Sequence, residues 1–291
     1  MCSVKIKNIN KSKSKKLIYC LTGIALIILI GFTIWGNLTI KTTYYNITDK
    51  ELPTAFDGYK IVQVSDLHNA VFGKENYRLI EKIRSEKPDI IVLTGDLIDS
   101  NHTDIATALD FTENISDIAP CYFITGNHEA WIDKADYNKL EKGLTTQGIN
   151  ILNNSFVRLY RDNQTILLAG IHDPAFTEDK DYENQIFTEL EYMDYNDGNY
   201  KILLSHRPTS LEQYPFNKFN LIFSGHAHGG QFRLPFIGGV IAPDQGLFPK
   251  YDRGLFQNGK TTMVLSGGIG NSIIPIRINN RPEIVVTSLY Q

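Results

Sequence analysis

The sequence predicts one mixed α/β domain behind a single N-terminal membrane-spanning helix. Two observations carry this expectation. Residues 17–36 are uncharged and mostly apolar, long enough to cross a bilayer as a helix. Beyond residue 58, three apolar runs alternate with helical patterns, the mark of a parallel sheet with helices on its faces.

Lys5, Lys7, Lys11, Lys13, Lys15 and Lys16 precede the apolar stretch, with no acidic residue among them. This excess of lysine predicts a basic cytoplasmic arm at 1–16 and a domain on the outer side of the cell membrane. The stretch at 17–36 is longer than the apolar core of a cleaved signal peptide, and no A-x-A-like site follows it. An uncleaved, single-pass signal anchor is expected. Residues 37–58, punctuated by Pro53 and Gly58, read as a tether to a domain at 59–291. Cys2 and Cys20 belong to the anchor region and only Cys121 lies beyond it, which excludes a disulfide within the outer domain.

The chain carries 29 basic and 32 acidic residues; without the six N-terminal lysines the count is 23 against 32, a net charge of −9. An acidic domain does not suit a general nucleic-acid binder, which needs a basic face. It suits a site where carboxylates surround cations.

The elements follow in order. Residues 59–64 are an apolar run of strand length, ending in Ser65-Asp66-Leu67-His68. Tyr77, Leu79, Ile80 and Ile83 then recur at helical spacing over 74–87, and Pro88 closes that helix. A second strand over 89–94 ends in Gly95-Asp96, and a helix follows over 103–117. A third strand over 120–125 ends in Gly126-Asn127-His128, with a helix over 134–147. Shorter runs at 149–152, 156–160 and 165–171, parted by Asn153-Asn154 and Asp162-Asn163, predict antiparallel hairpins. A helical stretch near 181–195 leads to strands at 201–205 and 219–224. A segment rich in Gly and Pro leads to strands at 261–265 and 283–289.

Metal-suited side chains stand just past the ends of these strands: Asp66 and His68, Asp96, Asn127 and His128, His206, His226 and His228. In α/β sheets that edge is where ligands bind. His226 and His228 lie two apart among Gly225, Gly229 and Gly230, so a turning backbone can aim both imidazoles at one point. Mixed carboxylate, imidazole and amide donors suit Mn, Fe or Zn. Eight groups exceed the needs of one tetrahedral ion. Two ions about 3.5–4 Å apart fit the arrangement used in phosphoester hydrolysis.

The order D-x-H, G-D, G-N-H, H, G-H-x-H over about 59–290 resembles the calcineurin-like metallophosphoesterase superfamily. The run GHAHGGQ, Arg233-Leu234-Pro235 and residues 275–284 are similar to its membrane-associated or exported bacterial branch. That branch often carries a twin-arginine signal; none stands here, so a Sec signal anchor is expected. The resemblance implies two packed mixed β-sheets flanked by helices. It implies that Asp66, His68 and His228 hold one metal, that Asn127, His206 and His226 hold a second, and that Asp96 bridges them. His128 would face the leaving group without binding metal. The implied activity is phosphoester hydrolysis by a metal-bound hydroxide, on a phosphodiester in preference to a phosphomonoester. A complete donor set with His128 present argues against a catalytically silent metal-binding scaffold.

Several residues keep two readings. Asp99 supports a ligand from behind, or opens a helix. His172 reaches the site or sits in a loop. Arg207 contacts phosphate or forms a structural ion pair. Residues 267–270 cradle a phosphate or make a tight turn. His102 reads as solvated, and Cys121 as core. Phe72, Trp131 and the apolar loop through Phe236 leave the same sheet edge. They pack a small core under the loop, or form an apolar lip for a lipid-borne phosphoester.

Overall fold

The computed structural model describes residues 3–177, 200–213, 218–271 and 274–291. The helix expected near 181–195 lies outside the described residues. The chain opens with α1 (Ser3–Leu38), of which Lys15–Leu38 is apolar and long enough to cross a membrane, with none of that stretch buried. The strands follow as β1 (Lys41–Thr48), β2 (Tyr59–Val64), β3 (Ile90–Thr94), β4 (Cys121–Ile124), β5 (Asn150–Ile151), β6 (Ser155–Arg161), β7 (Gln164–Gly170), β8 (Lys201–Leu204) and β9 (Leu221–Ser224). Two small ribbons come next, β10 (Arg233–Leu234) with β11 (Gly238–Gly239), and β12 (Ile241–Ala242) with β13 (Gly246–Leu247). Last are β14 (Gly254–Asn258), β15 (Thr261–Leu265) and β16 (Glu283–Tyr290). Helices α2 (Tyr77–Glu86), α3 (Ile105–Ser116), α4 (Asn127–Trp131) and α5 (Lys134–Thr146) lie between the early strands.

Among the described residues the long strands form two six-stranded sheets, in the orders β1-β16-β2-β3-β4-β5 and β14-β15-β9-β8-β7-β6. Strand periodicity explains why they pack as layers. Successive side chains point to opposite faces, so Ile61, Ile90 and Val92 face the second sheet while Val62, Ile91 and Leu93 face outward. The inner faces meet through Ile61, Ile90, Val92, Ile124, Leu168, Ile202, Leu204, Phe223 and Val264. Fully burying each such side chain contributes roughly 1.5–3 kcal/mol. The outer face of the first sheet is covered by Leu79 and Ile83 of α2, Phe111 and Ile115 of α3, and Leu140 and Leu144 of α5. Asp104 and Asp133 cap α3 and α5 by accepting from the N–H groups of Thr107 and Asp136.

Two expectations are corrected. The stretch read as a tether holds β1, an edge strand paired in parallel with β16 over its full length. Its Thr, Tyr and Ile residues suit a pleated, half-buried surface. The run at 149–152 makes no hairpin; β5 pairs in parallel with β4. Between them α5 supplies the crossover of a dozen or more residues that a parallel connection requires. The next two runs do form a hairpin, β6 with β7.

Candidate metal centre

Strands β2, β3 and β4 of one sheet and β8 and β9 of the other end where the candidate donors begin. The donors meet there in two groups. His206 Nε2 lies 3.1 Å from Asn127 Oδ1, 3.2 Å from His226 Nδ1 and 3.3 Å from Asp96 Oδ2. Asp66, His68 and His228 form the other group, with donor atoms all within 4.8 Å of one another. Asp96 Oδ2 also lies 3.5 Å from His68 Nε2, so one carboxylate oxygen stands between the two groups. All eight sequence-predicted residues, including His128, are buried.

The backbone fixes these positions. Asp66, His68, Asp96, His226 and His228 all have positive φ, between 45° and 70°. The two carboxylates also brace the turns: Asp66 Oδ1 accepts from the His226 N–H, and Asp96 Oδ1 from the His128 N–H, both at 2.9 Å. Gly126 is required by close approach, since a Cβ there would lie 2.3 Å from Asp96 Oδ1.

Each ring has a partner that sets its role. His206 Nδ1 donates to the Thr94 carbonyl at 2.7 Å, which leaves the Nε2 lone pair of the neutral ring for a cation. His128 Nδ1 accepts from the Ser100 N–H at 3.0 Å, so its neutral ring carries the proton on Nε2. Asp99 faces His68 Nδ1 at 3.8 Å and is not a helix-opening acid, because Asp104 caps α3. Charge follows geometry. Burial pushes His68 down to about 3. Burial also works against a charged His206, but the Asp96 carboxylate beside it prevails and raises it to about 10.

The residues fit cations. Both ring nitrogens of His68 are buried without a hydrogen-bond partner. Leaving such a group unsatisfied costs about 1–3 kcal/mol, and coordination removes that cost. The nitrogen, carboxylate and amide donors match transition metals.

Sequence reasoning missed three supports. Glu129 is buried and accepts from the backbone N–H groups of Gly126 (2.7 Å), Leu97 (2.8 Å) and Asp96 (2.9 Å), tying two donor loops together. Burial, then the nearby Asp96, raises its carboxyl to about 7. Its place directly after Asn127-His128 is the only signal. Arg277 is buried with Nη2 3.3 Å from His228 Nδ1. Asp244 lies 2.9 Å from His226 Nε2.

The open readings resolve. Arg207 is a structural ion pair, bidentate to Asp173 at 2.8 Å on both contacts and bonded to Asp244. His172 stacks on Phe176 and stands outside the donor groups. The N–H groups of Gly267, Gly268, Ile269 and Gly270 are all engaged within the protein, so that loop is a tight turn bracing Asp66. Among the lip candidates, Phe72 turns inward and joins the core, which corrects that expectation for one residue. Trp131 is 58% exposed with its ring 5.1 Å from that of His128, and Phe236, Ile237, Leu247 and Phe248 are exposed.

Known proteins place this arrangement. The metallophosphoesterase YkuE of Bacillus subtilis is 33% identical over 256 residues, covering 86% of this chain and 85% of its own. The phosphodiesterase YaeI of Escherichia coli is 26% identical over 236 residues, covering 79% of this chain and 82% of its own. A Danio rerio transmembrane protein with metallophosphoesterase domain is 29% identical over 285 residues, covering 93% of this chain and 63% of its own. The solved structure of the Thermus thermophilus sulfate thiohydrolase SoxB shares the fold at a TM-score of 0.50 and 13% identity, over 82% of this chain and 57% of that one. The family model for calcineurin-like phosphoesterases matches residues 59–230, the span that carries every one of the gathered donors, and the chain belongs to that family.

Proposed function

We propose that the chain is a membrane-anchored, dinuclear-metal phosphodiesterase that acts on a lipid-borne phosphoester at the outer face of the cell membrane. The observation that carries this reading is Asp96 Oδ2, 3.5 Å from His68 Nε2 and 3.3 Å from His206 Nε2, between two groups of donors. Asp66, His68 and His228 would hold one Mn, Fe or Zn ion, and Asn127, His206 and His226 the other, with Asp96 shared. When bound, such ions supply Lewis-acid neutralisation of phosphate charge and a more acidic water near neutral pH.

The chain's own residues do the rest. His128 presents its Nε2–H because Nδ1 accepts the Ser100 N–H, and it donates a hydrogen bond that stabilises the charge developing on the leaving oxygen. Asn127 contributes an oxygen without adding negative charge. Trp131 offers apolar surface beside His128, and Phe236 is an exposed ring on the loop that follows His228. The diester preference has support in the relative named as a phosphodiesterase.

The test uses the full chain purified in detergent. Elemental analysis should find close to two transition metals per chain, and Asp96→Ala should lose most of both. Bis(p-nitrophenyl) phosphate should be cleaved with higher kcat/KM than p-nitrophenyl phosphate. Trp131→Ser and Phe236→Ser should lose activity selectively on a long-chain lipid phosphodiester. A single ion in active enzyme defeats the dinuclear reading, a monoester preference defeats the diester, and equal loss on lipid and soluble substrates defeats the lip.

A further inference from the structure

A small cleft of about 190 Å³ opens where α1 meets the domain. Phe32 and Gly36 of α1 form one wall, and Lys41, Arg253, Arg277 and Arg281 line the rest. Arg277 is 1% exposed and donates to the carbonyls of Gly267 and Gly270. The Arg281 guanidinium lies 4.6 Å from the centre of the Trp35 ring. Arg253 donates to Asn280 Oδ1 at 3.2 Å. Among the described residues none of these three arginines forms an ion pair. Lys41 reaches Glu283 Oε2 at 3.9 Å, and that same carboxylate also accepts from Thr43 and from the Gly267 N–H. Glu283 is the carboxylate that faces Lys41, Arg253 and Arg277 together, with Asp66 also acting on Arg277 and Asp252 on Arg253, so four cations outnumber carboxylates that are already engaged elsewhere.

The position of this charge matters as much as its sign. The cleft sits against the last turns of an apolar helix of membrane-spanning length. Trp35, half exposed, stands at the same level, as aromatic residues do in the headgroup layer. Asn37 of α1 bonds both the N–H and the carbonyl of Arg277, each at 2.8 Å, so the helix end is pinned to the residue that touches His228. Basic pockets beside membrane helices bind phosphorylated headgroups.

We propose that this cleft binds the phosphate headgroup of an anionic phospholipid from the leaflet on the domain's side. The proposal rests on the anchor reading above. A zwitterionic headgroup brings its own ammonium group, which four cations repel, so an anionic lipid is preferred. The bound lipid braces the arm that carries Arg277 against the helix end.

The experiment places the full chain in phosphatidylcholine nanodiscs containing a minor share of phosphatidylglycerol. Lipids retained after mild detergent extraction are counted by native mass spectrometry. Phosphatidylglycerol should be retained in preference. Lys41→Gln with Arg253→Gln should weaken that preference about tenfold or more, at ~1 kcal/mol per basic residue. Lys41→Arg with Arg253→Lys keeps the charge and should keep the preference. Equal retention of both lipids by an inserted wild-type chain overturns the headgroup site while leaving the anchor intact. Equal loss in both double variants overturns the role of charge. Displacement by soluble glycerol phosphate marks a free-anion site and overturns the lipid. A chain that does not insert into any disc overturns the anchor and the site together.

Discussion

Five of the candidate donors hold left-handed backbone, a conformation that costs roughly 1–2 kcal/mol for a residue with a Cβ. Such strain persists only where neighbours over-determine it. Here the neighbours are named: Asp66 and Asp96 clasp the N–H groups of His226 and His128, and Glu129 clasps three more. Metal binding and stabilisation of the leaving group are therefore separable at single residues. His128 belongs to neither of the groups on either side of Asp96, but its ring comes within 4.8 Å of donor atoms of His68 and Asp99, and its Nδ1 is engaged by Ser100. His128→Ala is expected to keep its metal content and melting temperature while kcat falls ~100- to 1,000-fold. His226→Ala is expected to lose metal as well. Elemental analysis beside steady-state kinetics reads both, and loss of metal in His128→Ala would show it to be a ligand.

At the scale of elements, β1 carries a consequence that a tether would not. The N–H groups of Lys41, at its start, and of Asp49, just past its end, donate to Pro282, just before β16, and to Tyr290, the last residue of β16. Strand periodicity of two then gives Tyr45, four residues from each, the same direction. Tyr45→Pro removes a ladder bond and fixes φ, leaving an acceptor of β16 unsatisfied at a cost of about 1–3 kcal/mol. For a domain of this size that corresponds to a fall of roughly 2–12 °C in melting temperature. Differential scanning calorimetry checks this, and an unchanged transition would mean that the strand is dispensable.

For the whole molecule the outstanding quantity is orientation. Six lysines precede the apolar stretch, and the acidic domain follows it. The expected outcome is that protease added to intact cells stripped of their wall cleaves beyond residue 40 and leaves the N-terminal arm protected. A domain protected until the membrane is broken would reverse the orientation.

Sequence alone determined which residues stand at strand ends. Apolar runs of strand length and the acid, amide and imidazole residues that follow them are local patterns, and burial of a parallel sheet demands such runs. The eight candidate residues were legible for that reason. Tertiary structure decided what sequence separation hides. Nothing in a run of Thr and Tyr says that β1 pairs with a strand some 240 positions later. Nothing local says that Arg277 reaches His228 or that Asp244 reaches His226, because isolated charged residues gain meaning only from partners brought by the fold. Phe72 and Trp131 look alike as apolar residues beyond a motif. One is buried under the helices and the other open beside His128, since the side of the loop that each occupies is set by packing and not by composition.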